Sequence, residues 1–171
     1  MQKIAVIGCP CSGKSTLSKL IGNYLNIPVY HLDKIFWVEK GGIKQEEFIS
    51  KQREIMTNDR WIIDGGFPKS KSFDLRLMNA DTIIYFDFPL CVIYWRMFKR
   101  FIQYRNTVRP DMAPGKKEKL NWDLISYVWN YSKKEERVTI NNYISLKDVF
   151  IVKNLKDEKE FLKVIINKTL T

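Results

Sequence analysis

The sequence predicts an α/β fold in which parallel strands are covered by helices on both faces, and three observations predict it. Short, wholly apolar runs alternate along the chain with stretches of helical periodicity. The first run passes straight into a glycine-rich turn and then a helix. Three of the later runs end in an aspartate, Asp33, Asp64 and Asp87, where open parallel sheets bind ligands.

Ile4 to Ile7 reads as the first strand, and Leu17, Leu20, Ile21 and Leu25 place a helix over Lys14 to Leu25. Val29 to Leu32 is a second strand ending at Asp33. Phe48, Ile49, Gln52, Ile55 and Met56 form one face of a helix over Gln45 to Thr57. Trp61 to Ile63 is the third strand, closed by Asp64-Gly65-Gly66, and Thr82 to Phe86 the fourth, closed by Asp87 and Pro89. A long helix covers Leu90 to Tyr104. Asn106 to Lys119 is polar and basic, with two prolines and a glycine, and reads as a mobile loop. A helix over Trp122 to Tyr131, a fifth strand over Val149 to Val152 and a last helix over Asp157 to Asn167 complete the chain. Nothing marks an interdomain linker, so residues 1–171 are expected to form one domain.

Composition narrows the class. The balance of 45% apolar and 28% charged residues is that of a globular protein. No apolar run approaches the roughly 18 residues of a membrane span. The N-terminus enters a strand without the pattern of a signal peptide, and three cysteines make a disulfide framework unlike this chain, so a reduced, cytoplasmic protein is expected. The net charge of +10 is uneven: residues 96–171 hold 17 basic and 9 acidic side chains, against 12 and 10 in residues 1–95. A basic second half points to a polyanionic ligand, phosphates or nucleic acid.

Residues 8–16 carry the chemistry. Gly8-Cys9-Pro10-Cys11-Ser12-Gly13-Lys14-Ser15-Thr16 matches G-x-x-x-x-G-K-[ST] between a strand and a helix, the setting that phosphate binding requires. Glycines let backbone amides converge on phosphate oxygens, and the helix N-terminus adds its positive dipole end. Lys14 is expected to reach the β- and γ-phosphates of ATP and the Ser15 hydroxyl to ligate Mg²⁺. Cys9 and Cys11 read as small residues of the turn rather than a metal or redox pair, since no second cysteine or histidine pair lies nearby.

The chain resembles the adenylate-kinase and shikimate-kinase group of small phosphotransferases in its length, its early loop and its Lys-Ser-Thr ending. More closely, His31-Leu32-Asp33-Lys34-Ile35-Phe36-Trp37, Trp61-Ile62-Ile63-Asp64-Gly65 and Arg109-Pro110-Asp111-Met112 are similar to motifs of the bacterial DNA topology modulation proteins, which are adenylate-kinase-like. The resemblance implies a three-layer P-loop fold, a five-stranded parallel sheet of order 2-3-1-4-5, and a mobile lid over about residues 100–137. It also implies an ATP-dependent kinase acting on a nucleotide or small molecule. Asp64-Gly65-Gly66-Phe67-Pro68-Lys69 is similar to the Asp-Gly-Phe-Pro-Arg motif of adenylate kinases, with an added glycine and Lys69 in place of arginine. The family usually has glycine where Cys11 stands.

The resemblance also assigns roles. Arg96 and Arg100, four apart on one helix face, match the lid-entrance arginines and with Lys14 would spread charge off the transferring phosphoryl group. Arg109, with Arg137, would supply a second lid pair. Asp64 would hold Mg²⁺ through water, and Asp33 would orient or deprotonate an acceptor hydroxyl. Phe36 and Trp37 line an acceptor pocket or pack in the core, His31 is a strand residue with a satisfied hydrogen bond, and Asp87 is a turn residue. The rival reading is an ATP-binding, nucleic-acid-binding regulator, for which a stripe formed by Lys116, Lys117, Lys119, Lys133 and Lys134 outside the cleft would speak. No helix-turn-helix, zinc-finger or RNA-binding motif supports DNA, and no Asn-Lys-x-Asp motif supports a GTPase. The expected partners are therefore a nucleotide and an unidentified phosphoryl acceptor, with DNA not favoured and no membrane.

Overall fold

Strand β1 (Lys3–Gly8) is apolar on both faces, and that sets the layering. Successive side chains of a strand point to opposite sides. Ile4 and Val6 therefore enter one core with Leu17, Ile21, Ile93, Phe161 and Ile165, while Ala5 and Ile7 enter the other with Phe48, Ile55, Phe73, Leu77 and Ile140. The computed structural model describes residues 1–38, 41–105, 107, 122–131 and 133–169, with the backbone alone at 133, 134 and 166–169. Arg109 and the lysines at 116, 117 and 119 lie outside the described residues, as do the side chains of Lys133 and Lys134, so the lysine stripe is not described.

After β1 come α1 (Lys14–Leu25), β2 (Val29–His31), α2 (Leu32–Phe36), α3 (Gln45–Met56) and β3 (Trp61–Asp64). Then follow α4 (Ser72–Asn79), β4 (Thr82–Phe86), α5 (Leu90–Tyr104), α6 (Trp122–Trp129), α7 (Lys133–Asn141), β5 (Asp148–Val152) and α8 (Leu155–Thr169). The strands are parallel throughout and lie in the order β2-β3-β1-β4-β5. The α/β fold class and the expected 2-3-1-4-5 order are both observed. Register aligns the strand tips: Val6 sits beside Asp64, His31 beside Asp64, and Gly8 beside Phe86. Among the described residues, no helix is long and apolar enough to cross a membrane.

Local chemistry places the ends of these elements. Helix α1 stops at Asn26, whose left-handed backbone (φ 51°) lets its cap amide donate to the Gly22 carbonyl. Helix α3 carries Glu46 and Glu47 in its first turn and Arg53 in its last, which complements the helix dipole. At the start of the sheet, Asp81 accepts the amides of Gln2 and Lys3 at 2.7 and 2.9 Å and ties β1 to β4.

Several boundaries differ from the expectation. Strand β2 stops at His31 because the chain turns at once into α2, with the Trp37 amide donating to the Asp33 carbonyl at 3.1 Å. Asp33 is thus in the first turn of a short helix, not at a strand tip. Helix α8 begins at Leu155, two residues early, because the Asn154 side chain caps the amides of Lys156 and Asp157 at 2.8 and 3.0 Å. Helix α6 ends at Trp129. Helices α4 and α7 were not expected from the sequence: the first is eight residues long and the second is dominated by charge.

Candidate phosphate-binding site

The loop between β1 and α1 has the backbone its motif demands. Gly8 has φ 132°, and a Cβ there would stand 2.5 Å from the Phe86 carbonyl oxygen on β4, so no larger residue fits. Gly13 has φ 103° and forms the N-cap of α1, where its carbonyl accepts the Thr16 and Leu17 amides. Between them, Cys11 adopts a left-handed φ of 63°. That is a conformation that favours glycine, and here a cysteine holds it. Cys9 is fully buried, and the Ser12 amide donates to its carbonyl at 3.3 Å. Lys14 is 9% exposed and its ammonium bonds the same carbonyl at 2.8 Å, so the side chain folds back over the loop. Ser15 and Thr16 occupy the first turn of α1, at the positive end of its dipole.

Arg96 meets the loop from α5. It donates to the Ser12 carbonyl, stacks over the Phe88 ring at 4.1 Å and stands 3.7 Å from the Glu158 carboxylate. It therefore braces the outer side of the turn. Arg100, one helical turn further on, is partly buried. Arg109 lies outside the described residues.

At the tip of β3, Asp64 is 3% exposed, and its Oδ2 pairs with His31 Nδ1 at 2.7 Å. His31 is thus a hydrogen-bonded strand residue, as expected. The other oxygen, Asp64 Oδ1, is buried with no hydrogen-bond partner among the described residues. This spare carboxylate oxygen and the Ser15 hydroxyl are hard oxygen donors of the kind Mg²⁺ prefers, so the residues present fit that ion. The described residues contain no cluster of three or more His, Cys, Asp or Glu that could hold a metal ion. Asp33 is partly buried in α2, and its charge is felt by Tyr127 of α6, whose hydroxyl is pushed up to about 12 by burial first and then by Glu136, Cys9 and Asp33.

No protein-family model matches the sequence, and no curated protein does. Among solved structures, the chain is similar to shikimate kinase from Acinetobacter baumannii in complex with shikimate, at 12% identity and a TM-score of 0.62, covering 100% of this chain and 96% of that one. Shikimate kinase from Bacteroides thetaiotaomicron matches at 15% identity and a TM-score of 0.58, covering 95% and 97%. Shikimate kinase from Aquifex aeolicus matches at 22% identity and a TM-score of 0.52, covering 98% of each chain. The chain has an α/β fold, with its five-stranded parallel sheet in the order 2-3-1-4-5, like that of shikimate kinase. The likeness to DNA topology modulation proteins rests on the sequence motifs.

Three residues around the loop carry no signature in the sequence. Arg76 of α4 is fully buried, and its guanidinium donates to the carbonyls of Gly65, Gly66 and Ser72 at 2.6, 2.5 and 3.4 Å. Burial lowers its pKa to about 10, against the pull of Glu136, Tyr131 and Asp64, so it stays charged at neutral pH. It lies on the buried face of α4 with Phe73 and Leu77. Tyr131, just past α6, donates to Glu136 Oε1 from a site 9% exposed. Glu136 itself is 1% exposed. Burial raises its pKa, Asp87 adds to the rise, and the Tyr131 hydrogen bond, Lys14 and Arg76 oppose it.

Two further expectations are corrected or resolved by packing. Arg137 pairs with Asp87, so Asp87 is more than a turn residue: it anchors helix α7. Phe36 packs against Trp37, Phe48 and Phe67 with ring centroids 4.8, 5.1 and 5.3 Å apart, and belongs with the core around Phe48.

Proposed function

We propose that this chain is an ATP-dependent kinase of a small-molecule or nucleotide acceptor, binding Mg²⁺·ATP on residues 8–16. The observation that carries this reading is the loop itself. Its positive-φ residues Gly8, Cys11 and Gly13 lead into the N-terminus of α1 and Lys14, and the strand they follow runs beside the aspartate-bearing β3. Phosphoryl transfer asks a protein mainly for positioning and charge neutralisation, and this arrangement supplies both. Amides of the loop hold the phosphate chain, and Lys14 turns from the Cys9 carbonyl to the β- and γ-phosphates. Arg96 keeps the loop in shape from behind by holding the Ser12 carbonyl, and Arg100 supplies a second cation on the same helix. Arg109 would add a further positive charge. Ser15 and Asp64 hold Mg²⁺, which when bound offsets the negative charge of the transferring phosphoryl group.

Asp33, on the acceptor side, orients a hydroxyl acceptor and takes its proton. For an acceptor that is already a phosphate anion, no base is needed and Asp33 serves to position it.

The test is a coupled ADP-release assay with Mg²⁺·ATP and a panel of nucleoside monophosphates, nucleosides and hydroxy-acids, shikimate among them. One acceptor should raise ADP release well above the rate with ATP and water alone. Lys14→Ala should abolish ATP binding by calorimetry while leaving the circular dichroism spectrum unchanged. Retained nucleotide affinity in that variant would overturn the assignment.

A further inference from the structure

His31 closes strand β2, and Asp64 closes β3 beside it. The two are register partners across the parallel pair, so their side chains leave the sheet on the same face. That face is the one α1 covers: Ile62, two residues before Asp64, and Val29, two before His31, pack with Leu17 and Ile21. In that layer His31 Nδ1 donates to Asp64 Oδ2 at 2.7 Å, and the two side chains are 11% and 4% exposed. His31 also occupies the N-cap of α2, yet its side chain makes no capping hydrogen bond there. Its hydrogen bond goes across the sheet instead.

Asp64 has a second oxygen to satisfy. A buried carboxylate oxygen without a donor is costly, and Oδ1 is such an oxygen among the described residues. Asp64 stands beside Val6, two residues before the first glycine of the loop, and the Gly65 amide donates to the Val6 carbonyl at 3.1 Å. An unsatisfied anionic oxygen in this place is one that a hydrated divalent cation would complete. A carboxylate free to rotate offers either oxygen. With Oδ2 held by His31, Oδ1 is the one left to offer.

We propose that His31 is a positioning residue for Mg²⁺·ATP: its Nδ1–H holds Asp64 Oδ2 and so leaves Oδ1 as a fixed acceptor for the water shell of the ion. This rests on the reading of residues 8–16, with Asp64, as a Mg²⁺·nucleotide site. The carboxylate accepts, so the proton of the bond belongs to Nδ1. Outer partners that orient a metal ligand typically carry about 10- to 100-fold in affinity for the metal. Asp64 acts through water, so the lower end applies to His31.

The test is calorimetric titration of the full chain with ATP, once with Mg²⁺ and once with EDTA. The ratio of the two Kd values is the gain due to the ion. His31→Asn keeps an N–H where Nδ1 stands, and His31→Leu keeps nearly the same branched shape without the donor. Wild type and His31→Asn should show the same gain. His31→Leu should show a gain about tenfold smaller, with its affinity for metal-free ATP unchanged. A melting curve reports folding for each, and if His31→Leu does not fold, His31→Phe, which has a ring and no donor, takes its place. A folded donorless variant that keeps the full gain, or that weakens both titrations alike, overturns the role of His31 and leaves the nucleotide site standing. Folded His31→Asn that loses the gain as the donorless variant does overturns it too. Wild type that binds ATP with no gain from Mg²⁺ overturns Asp64 as a holder of the ion, and His31 with it. Folded wild type that binds ATP in neither titration overturns the nucleotide site itself.

Discussion

Cys11 shows how a single residue can depart from a motif and keep its geometry. The loop needs a left-handed residue at this position, and an L side chain there costs about 1–2 kcal/mol. Glycine would relieve that strain but give back about 0.4–1 kcal/mol in chain entropy. Cys11→Gly should therefore stabilise the fold by about 0.5–1 kcal/mol in urea denaturation, with nucleotide affinity unchanged. At this scale the loop was legible: nine consecutive residues specify their own backbone and present amides whatever else the fold does. Glu136, Tyr131 and Arg76 were not. Each is an ordinary polar residue in sequence, and burial among distant parts of the chain, such as Gly66 for Tyr131 and the Gly65 and Gly66 carbonyls for Arg76, gives it meaning.

At the scale of elements, the end of α4 is held by a distant cation. The Lys147 ammonium, just ahead of β5, donates to the carbonyls of Leu77, Met78 and Ala80, groups a helix C-terminus leaves unsatisfied. Burial lowers the Lys147 pKa while Asp81 opposes the shift. Lys147→Ala should cost about 1–2 kcal/mol, read as a lower urea midpoint with an unchanged slope. Strands and long helices were readable because buried strands and amphipathic helices write their periods into the chain. Helix α4, at eight residues, is too short for a period to show, and it stands because Arg76 and Lys147 satisfy groups at and beyond its ends. Helix α7 reads as a charged surface helix in sequence, yet Glu136 is buried against Tyr131 and the half-exposed Arg137 pairs with the buried Asp87. The sequence makes strand β2 look longer than it is for the opposite reason: Leu32 is apolar and buried, as a strand residue would be, but it is buried from a helix.

Over the whole molecule, the buried carboxylate ties stability to pH. The Glu136 pKa lies above its ordinary value of 4.5, so the folded state holds that proton more tightly than the unfolded chain does. Its contribution is fully present below 4.5 and is lost as pH rises through the folded value. The groups facing it are Tyr131, Lys14, Arg76 and Asp87, drawn from separate parts of the fold. Glu136→Gln should match wild type in acid and become the more stable of the two as pH rises toward neutrality. Chemical denaturation of both proteins at several pH values checks this, and a difference that stays flat with pH would count against it.

By itself the sequence determined the alternation of strands and helices, the phosphate loop and its place ahead of the first helix, because these follow from local periodicity and from residues adjacent in the chain. Only the tertiary structure decided that a tyrosine bonded to a buried glutamate sits against the glycine pair after β3, and that an internal arginine supports those glycines. Pairings of that kind depend on which distant side chains share one water-free space, and no local pattern encodes it.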